Sequence, residues 1–219
     1  MASRQLKPAK PLDAVREKMG DAILGLILKI PASRETALPD DTQAQLRARL
    51  VARAAARKAS LLAGSMALPP GPLGWVTFLP ELVAVWKLQS QMVADIAGVY
   101  GQNATLTREH MVYCLFKHLS AQALRDVVVR VGERLLVQKT SGALLQGVAQ
   151  KIGLQVSQKL LGKGLSRWVP VIGAVGVGAY AYFDTNRVAD TAITLFSGQA
   201  EVVGGAVHKA ARAARNASR

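Results

Sequence analysis

Three side chains that could bind a metal or act as a nucleophile recur at helical spacing: His110, Cys114 and His118, at i, i+4 and i+8. Imidazole and thiolate are good zinc ligands, and residues four apart share a helix face. One ion cannot take all three. Eight residues of helix separate His110 from His118 by about 12 Å, whereas a zinc–nitrogen bond is about 2 Å long. One adjacent pair would need further ligands from elsewhere, and the only other histidine is His208. A Cys114–His nucleophile would need an exposed thiol in positive surroundings, yet its neighbours are Tyr113, Leu115 and Phe116. The expectation is a buried cysteine between two partly exposed histidines, with no catalytic residue, cofactor or metal assigned.

Two glycine patterns resemble phosphate-binding loops without their context. Gly176-Val-Gly178-Ala-Tyr-Ala181 has the spacing of a relaxed dinucleotide fingerprint, but that fingerprint requires a preceding strand. Here Trp168-Val-Pro170 precedes it and reads as a helix entry. Gly162-Lys163-Gly164 lacks the remaining residues of a P-loop. Asp184, Asn186, Arg187 and Asp190 close the apolar run that those glycines belong to. At helical spacing Arg187 can pair with Asp184 or Asp190, or face a lipid headgroup.

The elements that must carry these residues read as helices. Residues 1–11, with Pro8, Pro11 and three cations, are expected to be a disordered basic arm. Leu12–Ile30 is amphipathic and stops at Pro31. A second helix opens at Pro39-Asp40-Asp41-Thr42 and runs toward Lys58, with Arg47, Arg49, Arg53 and Arg57 on its polar side. Residues 59–80 carry no charge but are broken by Pro69, Pro70, Gly71, Pro72 and Gly74. They predict a short buried helix, a turn and entry into the next helix. Pro80-Glu81 starts a helix to about Val99, closed by Gly98 and Gly101. Thr105 or Thr107 caps a helical stretch reaching Lys139, with a break near Ser120. Further helices are expected over Ser141–Gly164, from Pro170 to about Leu195, and over Gln199–Arg215. No segment reads as a strand.

Trp168–Phe183 is the segment that raises the question of a membrane. It runs for sixteen residues without a charge, just short of the roughly 17–20 that a spanning helix needs. Its small residues let another backbone approach closely, in lipid or in a protein core. Pro170 at its start and the polar cluster at its end favour a close-packing helix. Composition narrows the setting. The chain has 219 residues and a net charge of +14, with 50% hydrophobic but only 5% aromatic residues. Its mean hydropathy is +0.19. Residues 1–58 and 140–219 each carry +6, whereas residues 59–107 carry −1. Basic ends around an apolar middle suit an anionic lipid surface or a membrane protein as partner. Scarce aromatics and no recognisable nucleic-acid fold disfavour nucleic acid. The tail cations Lys209, Arg212 and Arg215 recur at near-helical spacing and are candidate lipid contacts. One cysteine permits no disulfide framework, and Asp13, Glu17 and Asp21 argue against a cleaved signal.

Two segments resemble the EcsC protein family. In the first, Pro70-Gly71-Pro72-Leu73-Gly74 leads into Pro80-Glu81-Leu82-Val-Ala-Val-Trp-Lys-Leu-Gln89 and then Ile96-Ala-Gly-Val-Tyr100-Gly101. In the second, Val169-Pro170-Val-Ile-Gly173-Ala precedes Tyr182 and Asn186-Arg187-Val-Ala189. Together they cover residues 60–102 and 165–195, in the family's order. One departure is Ala181, where the family often has Asn. The resemblance implies a bacterial, membrane-associated helical protein with no established activity. The expected fold is a single all-α bundle of seven or eight helices over residues 12–215 with a tail at 216–219. Its centre is formed by the apolar elements near 60–80 and 168–183, packed on each other or on lipid. The expected role is non-enzymatic, peripheral to or shallowly inserted at the cytoplasmic face of the inner membrane, as an accessory to transport or envelope processes. A soluble interaction module, a hydrolase and a secreted pore-former are the alternatives.

Overall fold

Caps, prolines and glycines set the helix ends in the computed structural model, which describes residues 11–66, 74–119, 128–131, 134–137, 141–162 and 171–198. Helix α1 (Pro11–Leu28) has proline at its first position, where the missing N–H costs nothing. Helix α2 (Asp41–Met66) is capped by Asp40, whose Oδ1 accepts from the Gln43 N–H at 2.9 Å. Helix α3 (Gly74–Val99) ends before Gly101, which takes the left-handed φ of +68° that glycine adopts without strain. A 3-10 turn over Asn103–Thr105 then leads to α4 (Arg108–Phe116). Two short strands follow, β1 (Val128–Val131) and β2 (Arg134–Val137). They pair antiparallel, with Val128 opposite Val137 and Val131 opposite Arg134. Helices α5 (Gly142–Gly162) and α6 (Val171–Phe196) complete the chain as described.

The helical architecture expected from the sequence is present, with corrections. Six α-helices and one 3-10 turn lie among the described residues, fewer than the seven or eight expected. The final helix expected over 199–215 falls outside them. The helical reading of residues 107–139 fails at 128–131 and 134–137, where β1 and β2 stand. Runs of β-branched valine favour an extended chain over a helix. Residues 59–66 are not a separate helix but continue α2. Pro80 lies inside α3, its first residue being Gly74. A proline this far in removes one i→i−4 hydrogen bond, a loss that the apolar packing of α3 overrides.

One core joins all six helices. It contains Ile23 and Ile27 of α1, Trp86, Met92 and Ile96 of α3, Leu145 and Ile152 of α5, and Val188 and Phe196 of α6. At its centre α4 is buried on every side from Met111 to Phe116, as befits a helix without a polar face. Trp86 meets Phe116 edge-on, with centroids 5.3 Å apart. α2 enters differently. Its buried residues are Ala44, Ala48, Ala52, Ala56, Ala59 and Ala63, a ridge of one small side chain per turn. Such a ridge lets two backbones come close, as the contact with α6 shows. A Cβ on Gly178 would sit 3.0 Å from the Ser60 carbonyl oxygen. Ala181, at the position where the resemblance expected Asn, is buried with Ala59, Ala63 and Val85. The apolar elements near 60–80 and 168–183 thus meet through residues 59–64 and 178–181.

The segment between α1 and α2 lies against α3. Asp95 is buried, its side chain 3% exposed, and Arg34 Nη2 donates to it at 2.5 Å. The backbone N–H of Arg34 and the side-chain amide of Gln91 donate to the same carboxylate at 2.9 and 3.0 Å. The Leu38 N–H donates to the Val99 carbonyl at 3.0 Å. Gly98 faces this segment, and a Cβ there would fall 2.0 Å from Ser33 Oγ and 2.8 Å from the Glu35 carbonyl oxygen. Its role is close approach rather than the helix ending expected of it.

Candidate functional site

The three candidate ligands in and just after α4 aim at three different places. His110 is the N3 residue of the helix. Its Nδ1 accepts from the Thr107 N–H at 3.2 Å, while Thr107 Oγ1 accepts from the His110 N–H at 3.3 Å. This is a capping box with histidine in the place of the usual glutamate or glutamine. Burial lowers the His110 pKa, which keeps Nδ1 free to accept. Cys114 is wholly buried, and burial raises its thiol pKa well above the ordinary value. A neutral, enclosed thiol is neither nucleophile nor ligand. His118, just past the helix, faces α6. Among the described residues no group of three or more His, Cys, Asp or Glu could hold a metal ion.

His118 instead joins a polar cluster spread over three elements. Its Nε2 lies 2.6 Å from Asp184 Oδ1. The Gln89 side-chain amide donates to Asp184 Oδ2 at 2.8 Å and to Thr185 Oγ1 at 3.1 Å. Gln89 and Thr185 are completely buried. Opposite a carboxylate, Nε2 carries the proton. The other ring nitrogen, His118 Nδ1, is buried without a partner, as is Gln89 Oε1. A His–Asp pair can act as a general base when its second nitrogen reaches a nucleophile. Among the described residues no serine, threonine or cysteine hydrogen-bonds to His118 Nδ1. The cluster ties the turn after α4 to α3 and α6 through hydrogen bonds. Sequence reading missed Gln89 and Thr185 as its members. The available signal was polarity on the inward face of an apolar helix, since Gln89 stands between buried Trp86 and Val93.

The other marked residues are dispersed. Asp184 is taken by His118 and Asp190 by Arg49 of α2, which leaves Arg187 exposed and with neither of its expected partners. Gly74 opens α3, Pro80 is exposed on it, and Glu81 belongs to it. Tyr100 is half-buried before Gly101. Gly173 and Tyr182 belong to α6, the Tyr182 ring meeting Phe183 edge-on at 5.8 Å. Gly71, Pro170, Lys209, Arg212 and Arg215 lie outside the described residues.

The outer face of α2 presents the most regular unpartnered surface. Leu46, Leu50, Arg53, Arg57 and Leu61 follow one another at spacings of four, three, four and four, a single stripe on a helix of 3.6 residues per turn. The leucines are 63%, 54% and 74% exposed, and both arginines are exposed. Neither arginine has an acidic partner among the described residues. Fifteen residues of helix make this stripe about 22 Å long. A second, aromatic surface lies on α6, where Tyr180 and Phe183 are exposed beside Arg187. No described helix is long and apolar enough to cross a membrane. No family model, curated protein or solved structure matches the chain.

Proposed function

We propose that this is a non-enzymatic, peripheral membrane protein that attaches to an anionic bilayer surface through the outer face of α2. The Leu/Arg stripe carries this reading. Leucines exposed to water on a rigid helix gain by entering the headgroup–acyl boundary, and arginines at the same level meet anionic headgroups. Each such cation adds about 1 kcal/mol near an anionic surface. The chain's charge of +14 adds long-range attraction to the same surface. The resemblance to the EcsC family supports a bacterial setting, at the cytoplasmic face of the inner membrane, in the service of transport or envelope processes.

Flotation with lipid vesicles tests the reading. The protein is expected to rise with vesicles containing phosphatidylglycerol and far less with phosphatidylcholine alone. Arg53→Gln together with Arg57→Gln should lower partitioning about thirtyfold, at ~1 kcal/mol for each cation removed. Absence of binding to both vesicle types overturns it. The exposed Tyr180 and Phe183 support a second reading, a helical module that docks a protein on α6, since exposed aromatic residues beside arginine are enriched at protein interfaces. Under that reading Phe183→Ser, and not the arginine pair, abolishes recruitment to membranes that contain the partner.

A further inference from the structure

We propose that the trough between α2 and α3 is a binding site for a long-chain fatty carboxylate. The trough has a volume of about 620 Å³, within the range of roughly 300–1,000 Å³ typical of small-molecule sites. Its floor is apolar: Leu50, Val51, Ala54 and Ala55 of α2 face Leu88 and Met92 of α3. The two ends differ in charge. At one end Arg34 pairs with Asp95 at 2.5 Å and Arg47 with Glu35 at 2.8 Å, so two cations and two carboxylates cancel. At the other end stands Lys58, exposed and with no acidic partner among the described residues.

One uncompensated positive charge at the end of an apolar channel is the complement of a monoanionic head on an apolar tail. A phosphate monoester head, carrying close to two charges near neutral pH, would be only half matched. The eleven residues from Arg47 to Lys58 span about 16 Å of helix, and the alanines keep that wall low, which suits an extended chain better than a bulky ring system. The inference rests in part on the membrane-surface reading, because Leu50 belongs both to the trough floor and to the outward stripe of α2. A chain leaving the bilayer beneath α2 therefore meets the trough at that residue.

The test is titration of the full-length protein with cis-parinaric acid, below its micelle concentration, read by fluorescence, with its methyl ester in parallel. Saturable one-to-one binding that oleate displaces is expected. Lys58→Glu should weaken the acid by about tenfold or more, as expected for loss of a charge-assisted contact, and leave the ester unchanged. Ala54→Trp, which fills the trough from an exposed position, should abolish both while circular dichroism confirms an unchanged helix content. No saturable binding by the wild type overturns the proposal, as does wild-type affinity in both variants. Flotation keeps the two readings apart. Wild-type protein that floats with anionic vesicles but binds no fatty acid refutes only the trough. Protein that binds the acid but never floats refutes only the surface reading.

Discussion

At the scale of the residue, His110 shows how a side chain suited to chemistry can be spent on holding a helix end. Its neutral ring accepts from the Thr107 N–H, and burial lowers its pKa below the ordinary 6.5, against weaker opposition from Thr105 and Glu109. The unfolded chain thus takes up the proton more readily than the folded one. The stability this cap contributes is complete above about pH 6.5 and is lost as pH falls through the lowered folded value. His110→Gln keeps an acceptor at the same position and does not titrate. Urea unfolding at pH 7.5 and 5.0 should therefore show the wild type losing stability relative to H110Q, by about 1 kcal/mol. Parallel behaviour at the two pH values would contradict the cap. His118 differs in kind: its Nε2 faces a carboxylate across the core, and its partner comes from a helix remote in sequence.

At the scale of the element, the segment between α1 and α2 is held by backbone proximity as much as by charge. Gly98→Ala places a methyl group against Ser33 and the Glu35 carbonyl, so either α3 or the segment must shift. A cost of about 1–3 kcal/mol is expected from such overpacking, measured as a lowered urea midpoint; an unchanged midpoint would show that the segment yields freely. Gly98 also marks what a sequence does and does not disclose. Its position near a helix end suggested a cap, and only the fold brings Ser33 beside it. Helix starts at Asp40 and Thr107 were legible because caps are local devices, whereas Pro11, expected in the basic arm, opens α1. The β1–β2 pair lay hidden in the sequence, although four of the five residues in Val127-Val-Val-Arg-Val131 are β-branched and Gly132-Glu133 separates them from Arg134-Leu-Leu-Val137. That spacing is itself a hairpin signal, masked by the helical pattern upstream. The His118–Asp184–Gln89 cluster was illegible for another reason: its members lie on three elements, and nothing local records which faces meet.

At the scale of the whole molecule, α2 bears the exposed Leu/Arg stripe on one side and the buried alanine ridge on the other. Under the proposed attachment of α2 to a membrane, a screened and an unscreened contribution combine. Raising the salt from 0.1 to 1 M shortens the Debye length from about 10 to about 3 Å, so partitioning onto anionic vesicles should fall steeply and then level off at the share owed to Leu46, Leu50 and Leu61. Flotation across that salt range checks this, and a complete loss at 1 M would assign attachment to charge alone. The buried side of α2 has a different fate. Ala48, Ala52, Ala56 and Ala59 are almost wholly buried, and enlarging any of them overpacks the side of α2 that faces the core. The outward arginines carry no such constraint. Over evolutionary time α2 should therefore behave as a helix divided lengthwise, one side frozen against drift and the other free to gain or shed charge.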